Sequence, residues 1–188
     1  IDEVRRLTVV AHEAGMLTEV FVHGANCVSF SGLCYLSSVH GGNSGNRGRC
    51  SQQCRSEYEQ TPQRKRFPLN LKDNSAFDNL AELAAAGVDS LKIEGRIKKF
   101  DYVYTVTDAW RTHLTNFYNG CDNGADKAAL HTVFNRGLSN GFLTGSIGED
   151  LFIDNPRDNS ARALAEAWGD VTTQGVDAAR DHINAERA

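Results

Sequence analysis

The chain has 188 residues, a formal net charge of −4 and 40% hydrophobic side chains. That length suits one domain with a real core, and the acidic total excludes proteins that coat nucleic acid by charge alone. No apolar run reaches the roughly 20 residues of a membrane helix, so no membrane partner is expected.

The five cysteines come without a secretory leader, which favours a reducing, cytoplasmic location where metal binding or free thiols outrank disulfides. Ile1 opens the chain in mid-pattern. This suggests a slice of a longer protein, whose partner would be the remainder of the same polypeptide. Charge is unevenly spread: residues 40–100 carry 11 basic and 7 acidic side chains, whereas residues 101–188 carry 7 and 13. A local basic face could meet phosphates despite the acidic total.

In chain order, Asp2 to Gly15 reads as a helix with Val4, Leu7, Val10 and Ala11 on one stripe. Leu17 to His23 reads as a buried strand. Phe67 to Leu71 is a short strand, and Asp73 or Asn74 caps a helix over 76–86 that Gly87 ends. Val88 to Glu94 returns as a strand. Asp101 to Asn119 is the longest helix, with Val103, Val106, Trp110, Leu114 and Phe117 inward. Ala125 to Phe134 is a further short helix, Asn135 to Gly148 a glycine-punctuated loop, and the alanine-rich acidic stretch from Asn159 a helical tail.

Strand, helix, strand with short connections predicts an α/β parallel sheet or barrel. Three strands cannot close a barrel, so the chain is expected to be the later part of a larger one. Residues 1–155 would form a partial catalytic barrel with a cysteine-rich insertion at 24–66. Residues 156–188 would be a helical tail or the start of a further domain.

Four cysteines, Cys27, Cys34, Cys50 and Cys54, lie within 28 residues, spaced C-x6-C, C-x15-C and C-x3-C. Glycines and Arg47, Arg49 and Arg55 surround the last two. Structural zinc sites favour C-x2-C knuckles, which this spacing fits poorly. Four-thiolate [4Fe–4S] clusters accept irregular loop spacings. The bland alternative is small buried thiols, and Cys121, alone after a helix stop, reads as a bystander. A nucleophilic cysteine would need a base among His23, His40, His113 and His131, and no nucleophile signature surrounds any cysteine.

Ser90 to Lys99 forms a second cluster. Lys92 and Glu94 share a strand face and Arg96 follows Gly95, a group that could hold an anion or orient a reacting base at a barrel mouth. A structural ion pair closing that mouth is the alternative.

Several stretches resemble the collagenase-like peptidase family U32: Glu19 to Ala25 leading to Cys27, Ser31-Gly32 before Cys34, Gly45 to Gly48, Cys50 to Arg55, Leu91 to Arg96 and Phe134 to Gly137. Leu69 to Ser75, with the helix after Arg96, looks most like the branch that makes 5-hydroxycytidine in bacterial 23S ribosomal RNA. The resemblance implies a TIM-barrel-like catalytic domain and C5 hydroxylation of a cytidine in 23S ribosomal RNA or its precursor. It also implies a [4Fe–4S] cluster on Cys27, Cys34, Cys50 and Cys54, and prephenate-linked oxygen chemistry. Some members carry a cysteine where this chain has Ser75, which raises the question of whether Cys54 is the fourth ligand.

On that reading His23, Lys92, Glu94 and Arg96 are the catalytic candidates. Arg47, Arg49, Arg55 and the Arg64–Arg66 cluster could engage phosphates, and Tyr35, Phe67 or Tyr58 could stack on an extruded base. The family name keeps open a collagenase-like peptidase. A non-catalytic iron–sulfur subunit is a third possibility.

Overall fold

A computed structural model describes residues 1–30, 33–59, 62, 64–121, 127–161 and 163. All but the first residues of the expected tail, the start of the helix expected at Ala125, and Ser31-Gly32 lie outside them.

Helix α1 spans Asp2–Glu13. Its inner stripe is Ile1, Val4, Thr8 and Ala11, with Thr8 only 2% exposed. Leu7 and Val10, expected inward, face outward. Docking sets the stripe: Gly87 lies beside Thr8, and His12 Nε2 sits 2.8 Å from Asp89 Oδ2. Strand β1, Glu19–Gly24, follows.

The cysteine-rich stretch folds as α2, Tyr35–Val39, and two single 3-10 turns at Gly45–Arg47 and Gln53–Arg55. The expected strand at Phe67 to Leu71 is displaced. Pro68 can donate no backbone hydrogen bond, and Leu71 makes only an isolated bridge to Phe152. Strand β2 forms at Asp73–Ser75.

A 3-10 turn, Phe77–Asn79, leads into α3, Leu80–Ala85. Strand β3 is Ser90–Ile93, and α4 runs Phe100–Tyr118. A 3-10 segment, Lys127–His131, stands where a short α-helix was expected. The stretch read as a glycine-punctuated loop contains β4, Leu138–Ser139, and α5, Gly141–Thr144.

The strand order is β3-β1-β2-β4. The β1/β3 and β2/β4 pairs are parallel, and β1/β2 is antiparallel. The sheet is thus mixed and mostly parallel, rather than wholly parallel as periodicity suggested. Among the described residues it is open, with β3 and β4 at its edges.

The core lies on one side of β1. Val22, Phe77, Leu83, Val106, Trp110 and Leu130 are all 3% exposed or less. Phe77 meets Trp110 edge-on at 5.2 Å and stacks on His113 at 4.2 Å, which orients α4. The inward residues of α4 are Tyr102, Val106, Ala109 and Trp110, whereas Val103 and Phe117 are partly outside. A groove of about 320 Å³ remains between β3 and α4, floored by Val22, Leu91, Ile93 and Leu114.

Candidate active site

The ends of β1 and β3 meet beside the cysteine-rich stretch. Gly24 makes the junction possible: its φ of +117° suits glycine, and a Cβ there would fall 2.6 Å from Glu94 O. Glu94 N donates to His23 O at 2.8 Å. His23, one residue earlier, is 2% exposed and 6.2 Å ring to ring from Tyr102. Burial, helped by nearby His131, lowers its pKa to about 4, so its imidazole is neutral near pH 7. His23 Nδ1 and Ser75 Oγ, on residues paired across β1 and β2, are both buried without a hydrogen-bond partner among the described residues.

Around this point lies a buried charged group. Arg136 Nη1 pairs with Asp73 Oδ1 at 2.9 Å and its backbone N–H donates to Asp73 Oδ2 at 3.1 Å. Both side chains are under 10% exposed, so removing either would strand a buried charge. Arg136 Cζ is 4.9 Å and Lys98 Nζ 3.1 Å from the Phe134 ring centre. Burial, then the field of Arg136, lowers the Lys98 pKa to about 8. Tyr102 donates to Glu94 O at 3.0 Å, and burial with Asp73 and Glu94 nearby holds its phenol well above the usual range.

The cysteine-rich stretch is tied to this floor by Arg55. Its guanidinium donates to Asn26 O at 3.0 Å, Leu71 O at 3.1 Å and the buried Asn70 side chain. All three acceptors are neutral; the negative groups near Arg55 are Asp73 and, when ionised, Cys54 and Cys27. The Cys54 thiol is pushed up by burial, drawn down by Arg55, and pushed up again by Cys27 and Cys50. Three of the four thiols therefore share one electrostatic neighbourhood. Cys34, at the start of α2, is pulled down by hydrogen bonds from the Ser37 backbone and hydroxyl.

Among the described residues no three candidate ligands converge as the shell of a single metal ion. A four-iron cluster takes one thiolate on each iron, which sets the sulfurs further apart than around one ion. Thiols that feel one another's charge beside the half-buried Arg55 guanidinium are the donor type such a cluster takes.

The other candidates are more scattered. Lys92 meets Glu19 at 3.3 Å, and hydrogen bonds from Ser90 and then Lys92 lower the Glu19 pKa. Glu94 contributes its backbone to the junction and exposes its carboxylate. Arg96 is exposed with its guanidinium beside Gly48, between Arg47 and Arg49 in the cysteine-rich stretch, and both of those are exposed. Arg55 points inward. Tyr35 is exposed, whereas Phe67 and Tyr58 are half-buried.

Asp73, Lys98, Tyr102 and Arg136 were not singled out by spacing. The signal for Arg136 was the Phe134 to Gly137 motif, in which it stands between Asn135 and Gly137. Asp73, expected as a helix cap, instead lies in β2, and its charged partner is 63 residues away.

The 23S rRNA 5-hydroxycytidine C2501 synthase of Escherichia coli K12 is 34% identical over 98% of this chain and 29% of its own length. The tRNA hydroxylation protein P1 of Bacillus subtilis is 37% identical over 71% of this chain and 36% of its own. A collagenase of Porphyromonas gingivalis is 35% identical over 70% of this chain and 39% of its own. The chain thus spans between about three tenths and two fifths of these relatives. No solved structure matches it. The model of peptidase family U32 matches residues 1–151, and the chain belongs to that family.

Proposed function

We propose that this chain is part of an iron–sulfur-dependent hydroxylase that replaces C5–H by C5–OH on a cytidine of 23S ribosomal RNA. This is a two-electron oxidation in which a co-substrate oxidant donates the oxygen atom and takes up the two electrons. The observation that carries the assignment is the 34% identity with the E. coli synthase across 98% of the chain. The tRNA hydroxylation relative supports RNA as the substrate class. Cys27, Cys50 and Cys54 would hold the cluster, with Cys34 the fourth candidate, and Arg55 supplies a positive field that partly opposes the effect of burial on Cys54. Such a cluster, when bound, passes electrons singly.

The chain's own residues set the surroundings. His23, neutral and buried, can donate or accept a hydrogen bond without bringing charge to the site. Lys98 and Arg136, flanking Phe134, are the cations a carboxylate-bearing co-substrate such as prephenate would meet. Arg47, Arg49 and Arg96 lie exposed where RNA phosphates could approach. No helix among the described residues is long and apolar enough to cross a membrane.

Iron and acid-labile sulfide analysis of anaerobically purified protein tests the cluster. About four of each per chain is expected, and zinc or no metal would remove it from the account. The P. gingivalis collagenase keeps a second reading, peptide hydrolysis, in view. Cleavage of collagen-like peptides that disappears in Glu94→Ala and Cys→Ser variants would favour that reading over RNA chemistry.

A further inference from the structure

The turn between β3 and α4 has two very different sides. Inward, Tyr102 is 3% exposed and Lys98 sits on Phe134. Outward, Phe100 and Tyr104 are 81% and 61% exposed, beside Ile97 at 81%. Phe100 and Tyr104, one helical turn apart, lie with ring centres 6.0 Å apart and planes inclined by 24°. A contiguous exposed apolar patch on a folded protein usually marks an interaction site.

The chemistry around the patch narrows the partner. Arg96 and Lys99 are exposed and, among the described residues, neither has a carboxylate partner. Arg96 reaches Gly48, so the same positive surface continues into the cysteine-rich stretch through Arg47 and Arg49. Asp101 and Glu94 are the acidic residues of this turn. Protein interfaces bury aromatic cores from which lysine is depleted. Aromatic faces interleaved with unpaired cations instead suit unstacked bases followed by their phosphates. A duplex, whose base faces are covered, cannot use such a surface.

We propose that Phe100 and Tyr104, with Arg96 and Lys99 beside them, form a stacking platform that holds unpaired RNA bases next to the nucleotide being modified. This rests on the RNA reading above and extends it by naming the surface that recognises the single-stranded flank. The platform shares a turn with Lys98 and Tyr102, which lie on its inward side toward the buried group at His23 and Arg136.

The test is fluorescence anisotropy of the complete protein with a labelled single-stranded RNA oligonucleotide, alone and hybridised to its complement. Phe100→Ala with Tyr104→Ala should weaken single-strand binding about 10- to 100-fold, with the melting temperature measured alongside to show that the fold is kept. Phe100→Trp with Tyr104→Trp should retain binding, and Arg96→Ala with Lys99→Ala should flatten its salt dependence. If the double alanine variant binds as tightly as the parent while the parent hydroxylates its RNA, the platform is wrong and the RNA reading stands. A parent that neither binds nor modifies RNA overturns both. A double alanine variant that keeps RNA affinity but loses a co-purifying protein identifies a protein contact and also overturns the platform.

Discussion

At the scale of single residues, the site combines groups held in unusual states. His23 has a folded pKa of about 4 against 6.5 in the open chain. Between those values the unfolded chain binds more protons, so this stability is complete above pH 6.5 and lost as pH falls toward 4. The loss is on the order of 3 kcal/mol. Replacing His23 with Gln should flatten that limb in urea titrations run from pH 4 to 7; an unchanged limb would mean that His23 titrates normally. Lys98 behaves likewise at the alkaline end. Its folded pKa, about 8 against 10.5, makes stability rise with pH between those values, and Lys98→Met should remove the slope. Arg55→Gln should slow alkylation of Cys54 in the metal-free protein, since burial would then act on that thiol with less opposition from positive charge.

At the scale of elements, the junction of β1 and β3 depends on one backbone conformation. Gly24→Ala would place a Cβ 2.6 Å from Glu94 O at a φ that side chains rarely adopt. We expect a loss of about 1–3 kcal/mol and a fall in melting temperature. Leu83→Ala, in the core under α3, should cost about 2–5 kcal/mol while leaving the cysteine-rich stretch in place, so that both losses can be read by denaturant titration. These two positions also show what the sequence reveals and what it hides. The helix at α4 and the strand at β1 are legible because their apolar repeats run longer than one turn. The strand at Asp73–Ser75 is not, because its polar side chains are buried through partners far along the chain: Arg136 for Asp73, and the β1 pairing for Ser75. The inward face of α1 is misread for a similar reason, since contact with Gly87 and Asp89 chooses Thr8 over Leu7.

At the scale of the whole molecule, the chain brings a cysteine-rich stretch, a buried charged group and an exposed aromatic and basic turn to the same end of one mixed sheet. The cysteine cluster is visible in sequence because four thiols in 28 residues are seldom accidental. The pairing of Asp73 with Arg136, and the seat of Lys98 on Phe134, are products of folding that spacing cannot show. If these parts act as one RNA-modifying site, loss of the protein must change the RNA. The direct measurement is mass spectrometry of nucleosides from 23S ribosomal RNA of a deletion strain, complemented with the parent or with Cys54→Ser. We predict that 5-hydroxycytidine disappears on deletion, returns with the parent, and stays absent with Cys54→Ser. Hydroxycytidine unchanged by the deletion would contradict the account.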